Sequence, residues 1–130
     1  MDLKMKILIV DDMASMRRIV ADALFQIGFR NLIEANHGEG ALKILKSDSI
    51  HLVLCDWNMP KMSGIELLKK VRNDEKLKHI PFIMITAEGK KENVLEAVKE
   101  GVNNYIVKPF NTQSLKEKIE RTLEGSGLHS

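Results

Sequence analysis

The chain has 130 residues and a formal net charge of +2, with 44% hydrophobic and 29% charged residues. This balance is typical of a folded globular chain, and the length corresponds to one domain. The longest apolar runs have four residues and no apolar segment precedes a cleavage site, so we expect no membrane span, no secretory signal and a cytoplasmic protein. The balanced charge and the 5% aromatic content are unlike nucleic-acid-binding surfaces, so we expect no nucleic-acid partner.

Five short apolar segments recur along the chain. Most are β-branched and show little alternation, which is typical of strands buried on both faces of a sheet. The second is polar at Glu34, which favours an edge strand. The expected strands are Lys6–Val10, Leu32–Ala35, Leu52–Cys55, Phe82–Ile85 and Tyr105–Val107.

Each apolar segment is followed by a helical pattern, in which hydrophobic residues return every three or four positions. Glycines follow the first and the fourth pattern, where a left-handed residue often ends a helix. The expected helices span residues 14–27, 38–46, 64–72, 91–100 and 112–124. The expected apolar faces include Ile19, Val20, Ala23, Leu24 and Ile27 in the first helix, and Val94, Leu95 and Val98 in the fourth.

The alternation of strand and helix predicts an α/β fold, a single (βα)5 doubly wound parallel sheet with helices on both faces. One domain over residues 1–130 accounts for the chain, and we expect no separate output domain. In such sheets the functional site lies beyond the carboxyl ends of the strands, so the residues that end each strand are considered together.

Charged and polar side chains follow four of the predicted strands. Asp11 and Asp12 follow the first strand, Asp56 the third, Thr86 the fourth and Lys108 the fifth. Two carboxylates ~5 Å apart repel by roughly 3 kcal/mol at an effective dielectric of ~20. A hard divalent cation relieves this repulsion, and an all-oxygen site suits Mg²⁺. Taken alone, the acidic pair before a helix could instead be a capping signal.

The same residues suffice for phosphoryl transfer, which needs a nucleophilic oxygen, a metal ion and donors for the phosphoryl oxygens. A carboxylate can act as the nucleophile and form an aspartyl-phosphate. Asp56 stands alone on its strand, between the acidic pair and Lys108, and is our candidate acceptor. Thr86 and Lys108 would then hold the phosphoryl oxygens.

Five separated motifs resemble the receiver domain of two-component response regulators, over residues 6–124. Within that family the chain resembles the single-domain chemotaxis regulators of the CheY type. The resemblance implies the flavodoxin-like strand order 2-1-3-4-5. The motifs are ILIVDD (7–12), MRRIV (16–20), DWNMPKMSG (56–64), MITAE (84–88) and YIVKPF (105–110).

The resemblance implies a phosphoacceptor and a metal site. Asp56 would accept a phosphoryl group from a phosphohistidine on a histidine kinase. Asp12 and Asp56 would bind Mg²⁺ directly, together with the backbone carbonyl of Asn58, and Asp11 would act mostly through a metal-bound water. The family usually has a cis peptide at the position of Lys108–Pro109, which only an X-Pro bond makes inexpensive.

The resemblance also implies a switch and a set of residues that tune its lifetime. Thr86 and Lys108 would contact the phosphoryl group, and Tyr105 would change rotamer together with Thr86. Asn58 and Glu88 would flank the path of the attacking water, and their small or polar character predicts a short-lived phosphoryl state.

A regulator of this type acts by contact, and the resemblance assigns its partner face to the fourth helix, the fifth strand and the fifth helix. The expected partners are the kinase, the flagellar motor switch protein and a phosphatase, and we expect a monomer. The expected face comprises Lys91, Val94, Val98, Asn103, Tyr105, Val107, Lys118 and Arg121.

Other functions remain open at this point. A Mg²⁺-dependent phosphohydrolase that forms an aspartyl-phosphate would have a similar site, although its usual aspartates are one residue apart and Asp11 and Asp12 are adjacent. A flavodoxin-like cofactor binder would need a phosphate loop after the first strand, where this chain is acidic. A phosphorelay intermediate or a phosphate sink would have the same site and a different partner.

Overall fold

The structure is a computed structural model that describes residues 1–87 and 91–125, and for residues 91 and 92 it describes the backbone alone. Five parallel strands form one sheet in the order β2-β1-β3-β4-β5. The strands are β1 (Ile7–Val10), β2 (Leu32–Ala35), β3 (Leu52–Asp56), β4 (Phe82–Thr86) and β5 (Asn104–Val107). The helices are α1 (Ala14–Ile27), α2 (Gly38–Ser47), α3 (Gly64–Arg72), α4 (Lys91–Lys99) and α5 (Thr112–Leu123).

The sheet separates two hydrophobic cores. Alternate residues of a strand point to opposite faces, so Leu8 and Val10 join one core while Ile7 and Ile9 join the other. The first core lies against α2, α3 and α4, and the second against α1 and α5. Burying one such Leu or Ile side chain contributes roughly 1.5–3 kcal/mol. The predicted doubly wound sheet and its strand order are confirmed.

Most of the element boundaries agree with the sequence prediction to within one residue. β3 and β4 each extend by one residue, so Asp56 and Thr86 are the last residues of their strands. β2 is an edge strand, and Glu34 in it is exposed, as expected. Among the described residues, no helix combines the length and apolar composition needed to cross a bilayer.

The predicted apolar faces of two helices are partly wrong. In α1, Ile19 is 50% exposed and therefore lies outside the buried face. The residues that α1 buries are Val20, Ala21, Ala23 and Leu24. In α4, Leu95 is 58% exposed and Val98 42% exposed, while Ala97 is buried. The apolar pattern of α4 therefore faces outward more than inward.

The turn after β1 begins α1 without a side-chain cap. The residue that caps the helix by position is Met13, which offers no acceptor, so Asp12 does not act as the helix cap. In contrast, α3 begins with a capping box between Ser63 and Glu66. The β1–α1 turn is therefore held by contacts other than a cap.

The carboxyl ends of β1, β3, β4 and β5 meet at one edge of the sheet. Gly64 begins α3 directly behind Asp56, and its N–H donates to the carbonyl of Trp57 at 2.8 Å. A Cβ on Gly64 would overlap the Asp56 carbonyl oxygen and lie 2.7 Å from Met84 Sδ. The absence of a side chain there lets α3 pack against the end of β3.

Candidate functional site

Three carboxylates converge at the carboxyl edge of the sheet. One carboxylate oxygen from each of Asp11, Asp12 and Asp56 lies within 4.8 Å of the others. Asp11 and Asp56 are 4% and 5% exposed, whereas Asp12 is open to solvent. The sequence prediction that these residues meet is confirmed. An all-oxygen set at this spacing fits a hard divalent cation, so the cluster could hold a metal ion.

Three hydrogen bonds hold Asp11 in place. Its N–H donates to the Ala35 carbonyl at 3.2 Å, and its Oδ1 accepts from the Met13 N–H at 2.9 Å. Its carbonyl oxygen accepts from Arg17 Nη1 at 2.8 Å. These bonds hold the first acidic residue of the pair in a defined position at the end of β1.

Burial raises the pKa of the Asp11 carboxyl above its ordinary value. The Asp56 and Asp12 carboxylates add to the rise, while the Met13 N–H and the Lys108 ammonium oppose it. A low dielectric and like charges both disfavour ionisation. The three carboxylates therefore repel one another, and a bound cation would relieve the repulsion that the Lys108 ammonium leaves.

Lys108 provides the positive charge on the other side of Asp56. Its Nζ lies 2.8 Å from Asp56 Oδ1, and both side chains are mostly buried, at 19% and 8% exposure. Its backbone N–H donates to the Thr86 carbonyl at 2.7 Å, which ties the end of β5 to the end of β4. The Lys108–Pro109 peptide is cis, as the resemblance led us to expect.

Thr86 and Tyr105 share one face of the sheet. Met84 pairs with Tyr105, and Thr86 pairs with Val107 two residues further along the strands. Side chains two apart on a strand share a face, so the two predicted switch residues are neighbours on the side that α3 and α4 cover. Thr86 is buried and Tyr105 is half-buried.

Of the two residues expected to tune hydrolysis, only Asn58 lies among the described residues. Asn58 is exposed in the loop two residues beyond Asp56. Glu88 lies outside the described residues, as does the side chain of Lys91, whose backbone begins α4.

The expected partner face is half apolar and half cationic. Val98 and Val107 are 42% and 39% exposed, and Val94 is half-buried. Lys118 Nζ lies 5.0 Å from the centroid of the Tyr105 ring, a cation–π contact. The pKa of Lys118 is lowered, mainly because burial removes water from its ammonium group and secondly because the positive charge of Arg121 is near. Arg121 itself is exposed on the next turn of α5.

The assignment of Asn103 to that face is wrong, because its side chain is only 7% exposed. Its Oδ1 accepts from the Phe82 N–H and from Arg72 Nη2, each at 2.7 Å. Arg72 also donates to the carbonyls of Gly101 and Ile80. Asn103 therefore belongs to a hydrogen-bonded joint between α3, β4 and the start of β5.

Sequence reasoning assigned no role to Arg17, although it lies in the MRRIV segment. Its Nε donates to Glu34 Oε1 at 2.9 Å while its Nη1 reaches the carbonyl of Asp11. The only signal available from the sequence was its position in the first turn after the acidic pair.

Cleft size does not locate this site. A cleft of about 710 Å³ lies between the α2–β3 and α3–β4 connections. Its walls include Leu45, His51, Asp74 and His79, at the amino ends of the strands. The carboxylates lie at the opposite edge, so charge and hydrogen bonding identify the site better than volume does.

Comparison with known proteins agrees with the geometry. The family described as the response regulator receiver domain matches residues 7–120. Chemotaxis protein CheY-3 of Vibrio cholerae is 55% identical over 120 residues, which cover 92% of each chain. Chemotaxis protein CheY of Pseudomonas aeruginosa is 53% identical, over 92% of this chain and 97% of that protein.

The fold is also similar to that of a solved chemotaxis protein. The structure of CheY4 of Vibrio cholerae superposes with a TM-score of 0.85 at 33% identity, and the match covers 92% of this chain and 98% of that one. The similarity to chemotaxis proteins thus extends over most of the chain. It includes the segments that bring Asp11, Asp12, Asp56 and Lys108 together at one edge of the sheet. The chain therefore belongs to the response regulator receiver domain family, among its chemotaxis members of the CheY type, which are phosphorylation-dependent switches.

Proposed function

We propose that Asp56 is the phosphoacceptor and that its donor is a phosphohistidine on a histidine kinase. A carboxylate oxygen of Asp56 attacks the phosphorus, a P–O bond forms and the P–N bond breaks. The imidazole nitrogen leaves with the electron pair and takes up a proton from water. The observation that carries this proposal is the position of Asp56, between the Lys108 ammonium at 2.8 Å and the two other carboxylates.

The donor set favours Mg²⁺ as the cation. Asp12 and Asp56 would hold it directly with the backbone carbonyl of Asn58, and Asp11 would act mostly through a water. When bound, Mg²⁺ neutralises charge that develops on the transferring phosphoryl oxygens. Asp11 and Asp12 keep the site acidic and thereby select a cation.

Lys108 and Thr86 would recognise the phosphoryl group once it is attached. Lys108 already contacts the acceptor carboxylate, and a phosphoryl group adds roughly −1.5 to −2 charges beside it. Charge-assisted hydrogen bonds contribute about 1.5–3 kcal/mol each. A few of them approach the ~5.5 kcal/mol needed to invert a two-state equilibrium from 1:99 to 99:1.

The response would reach the surface through Tyr105. Thr86 and Tyr105 share a face of the sheet, so a shift of Thr86 toward the phosphoryl group opens space on the side of Tyr105. The proposed output face is then presented by α4, β5 and α5, and its occupant is the flagellar motor switch protein. The proposed face consists of Lys91, Val94, Val98, Tyr105, Val107, Lys118 and Arg121.

A direct test is to activate the chain with Mg²⁺ and beryllofluoride and to titrate it with an N-terminal peptide of the flagellar switch protein. Trp57 follows Asp56 and its fluorescence reports activation. We expect tighter peptide binding after activation and no change in the Asp56→Asn variant. Activation without tighter binding would reject the motor partner and favour a phosphate sink or a phosphorelay intermediate.

The lifetime of the phosphoryl group separates these roles further. We propose that Asn58 and Glu88 leave access for water, so that the phosphoryl group on Asp56 is short-lived. A bulky substitution such as Asn58→Met is expected to lengthen the lifetime, measured by loss of radioactive phosphate. Turnover of a small phosphate ester without any protein donor would instead favour a phosphohydrolase.

A further inference from the structure

We propose that Arg17 is a positioning residue for the cation site, acting through the peptide bond that joins Asp11 to Asp12. The inference rests on the proposed function of the acidic cluster as a Mg²⁺ site. It concerns a side chain that does not itself offer a ligand to the cation.

The guanidinium of Arg17 joins three elements. It is carried on the first turn of α1, its Nε donates to Glu34 Oε1 of β2 at 2.9 Å, and its Nη1 donates to the Asp11 carbonyl at 2.8 Å. Only 17% of the side chain is exposed. The planar fork of an arginine holds two acceptors in a defined mutual direction, which a lysine does not do.

The hydrogen bond from Arg17 to the Asp11 carbonyl acts on the peptide group that links the two acidic residues. The Asp11 carbonyl and the Asp12 N–H belong to one planar peptide group, so holding the oxygen limits how the backbone between the two acidic residues can turn. The N–H of Asp11 is held separately by the Ala35 carbonyl. Arg17 therefore controls the second of the two peptides that flank Asp11.

The β1–α1 turn has few other ties. Met13 precedes α1 at the N-cap position and provides no side-chain cap, and the first turn of α1 contains no acidic residue. Within the turn itself, Asp11 Oδ1 accepts a hydrogen bond from the Met13 N–H. If Arg17 is removed, this local bond and the bond from the Asp11 N–H to Ala35 of β2 remain, and the bond that holds the Asp11 carbonyl is lost.

Charge and position predict opposite effects of removing Arg17. A cation near a metal site repels the metal, so electrostatics alone predicts that a neutral side chain tightens Mg²⁺ binding. Loss of a residue that orients metal ligands typically weakens metal affinity by about 10- to 100-fold. The sign of the change in Kd therefore separates the two accounts.

The experiment is a Mg²⁺ titration of the full chain by Trp57 fluorescence, supported by calorimetry, for the wild type and three variants. Arg17→Met removes the charge at similar length, and we expect its Kd to rise about tenfold. Arg17→Lys keeps the charge and loses the fork, and we expect a rise of severalfold. Arg18→Met removes an equal charge at an exposed neighbouring position of α1, and we expect its Kd to stay within about twofold of the wild type.

Each outcome decides between the accounts. An unchanged or lower Kd in Arg17→Met, with folding verified by circular dichroism, would overturn the positioning role. If Arg17→Met does not fold, a wild-type Kd in Arg17→Lys overturns it instead. A wild type that does not respond to Mg²⁺ would reject the proposed metal site itself and the inference with it, whereas a normal wild-type response with unaffected variants rejects the inference alone.

Discussion

Asp11 shows how one buried carboxyl couples the site to pH. Burial raises its pKa, with help from Asp56 and Asp12, so the folded chain binds a proton there more readily than the unfolded chain does. The free energy of unfolding without metal should therefore fall as pH rises from the ordinary aspartate range through the raised pKa of Asp11, and then level off. Since a bound cation requires the ionised form, Mg²⁺ affinity should weaken as pH falls through the same window.

Asp11→Asn should stabilise the metal-free chain at neutral pH and weaken Mg²⁺ binding. The amide is neutral and can still accept from the Met13 N–H, so the repulsion from Asp56 and Asp12 disappears. We expect the free energy of unfolding to rise by roughly 1–3 kcal/mol, the order of one like-charge repulsion. Urea unfolding with EDTA measures it, and Asp22→Asn on the exposed side of α1 is the control. An equal gain in the control would contradict this account.

Lys61 is the non-glycine residue with positive φ in the described chain, at 67°, in the loop that follows Asp56. Around it the Met62 N–H donates to the Pro60 carbonyl at 2.7 Å, which makes a three-residue turn of the strained type. A residue other than glycine rarely adopts this backbone conformation, because its Cβ makes the conformation costly.

Lys61→Gly should therefore raise the free energy of unfolding by about 0.5–1 kcal/mol, after allowing for the extra freedom of glycine in the unfolded chain. Lys70→Gly, at an exposed position within α3, should lower it by about 1 kcal/mol. Chemical denaturation of both variants tests the pair, and destabilisation in both would show that the Lys61 turn stores no strain.

At the scale of elements, the junction of β3 and α3 determines where the acceptor stands. Gly64→Ala would place a methyl group against the Asp56 carbonyl oxygen and Met84 Sδ, so α3 would have to move. We expect a loss of roughly 1–3 kcal/mol in stability, as for overpacking elsewhere, and weaker Mg²⁺ binding. Thermal unfolding and the fluorescence titration measure the two effects. Gly40→Ala, whose methyl group would have three atoms of the His37 ring as its nearest neighbours, is the matched control. Equal losses in both variants would argue against a specific role for the junction.

The fourth helix presents an apolar surface that the sheet does not cover. Leu95 and Val98 are more than a third exposed, and α4 buries Ala97 in the first core. Apolar residues at helical spacing therefore do not by themselves tell which side of a helix meets the sheet. An exposed apolar strip beside the cations of α5 is consistent with a face that binds a partner helix.

For the whole molecule, cation binding and folding should be linked. A ligand that binds only the folded chain stabilises it by about 2.7 kcal/mol at 100 times its Kd. We therefore expect Mg²⁺ to shift the urea midpoint upward, EDTA to reverse the shift, and Asp56→Asn to reduce it strongly. A midpoint that does not depend on Mg²⁺ in the wild type would contradict a cation site at this edge of the sheet.

The sequence by itself determined the alternation of strands and helices, the two-sided burial of the central strands and the residues that end them. These are local properties, since periodicity and strand termini are read from neighbouring positions, and parallel topology then brings Asp11, Asp56 and Lys108 to one edge. Only the tertiary structure decided the burial of Asn103 and the double contact of Arg17. Both depend on partners distant in the chain, Arg72 and Glu34, and no local pattern encodes which distant side chain completes a hydrogen-bonded joint.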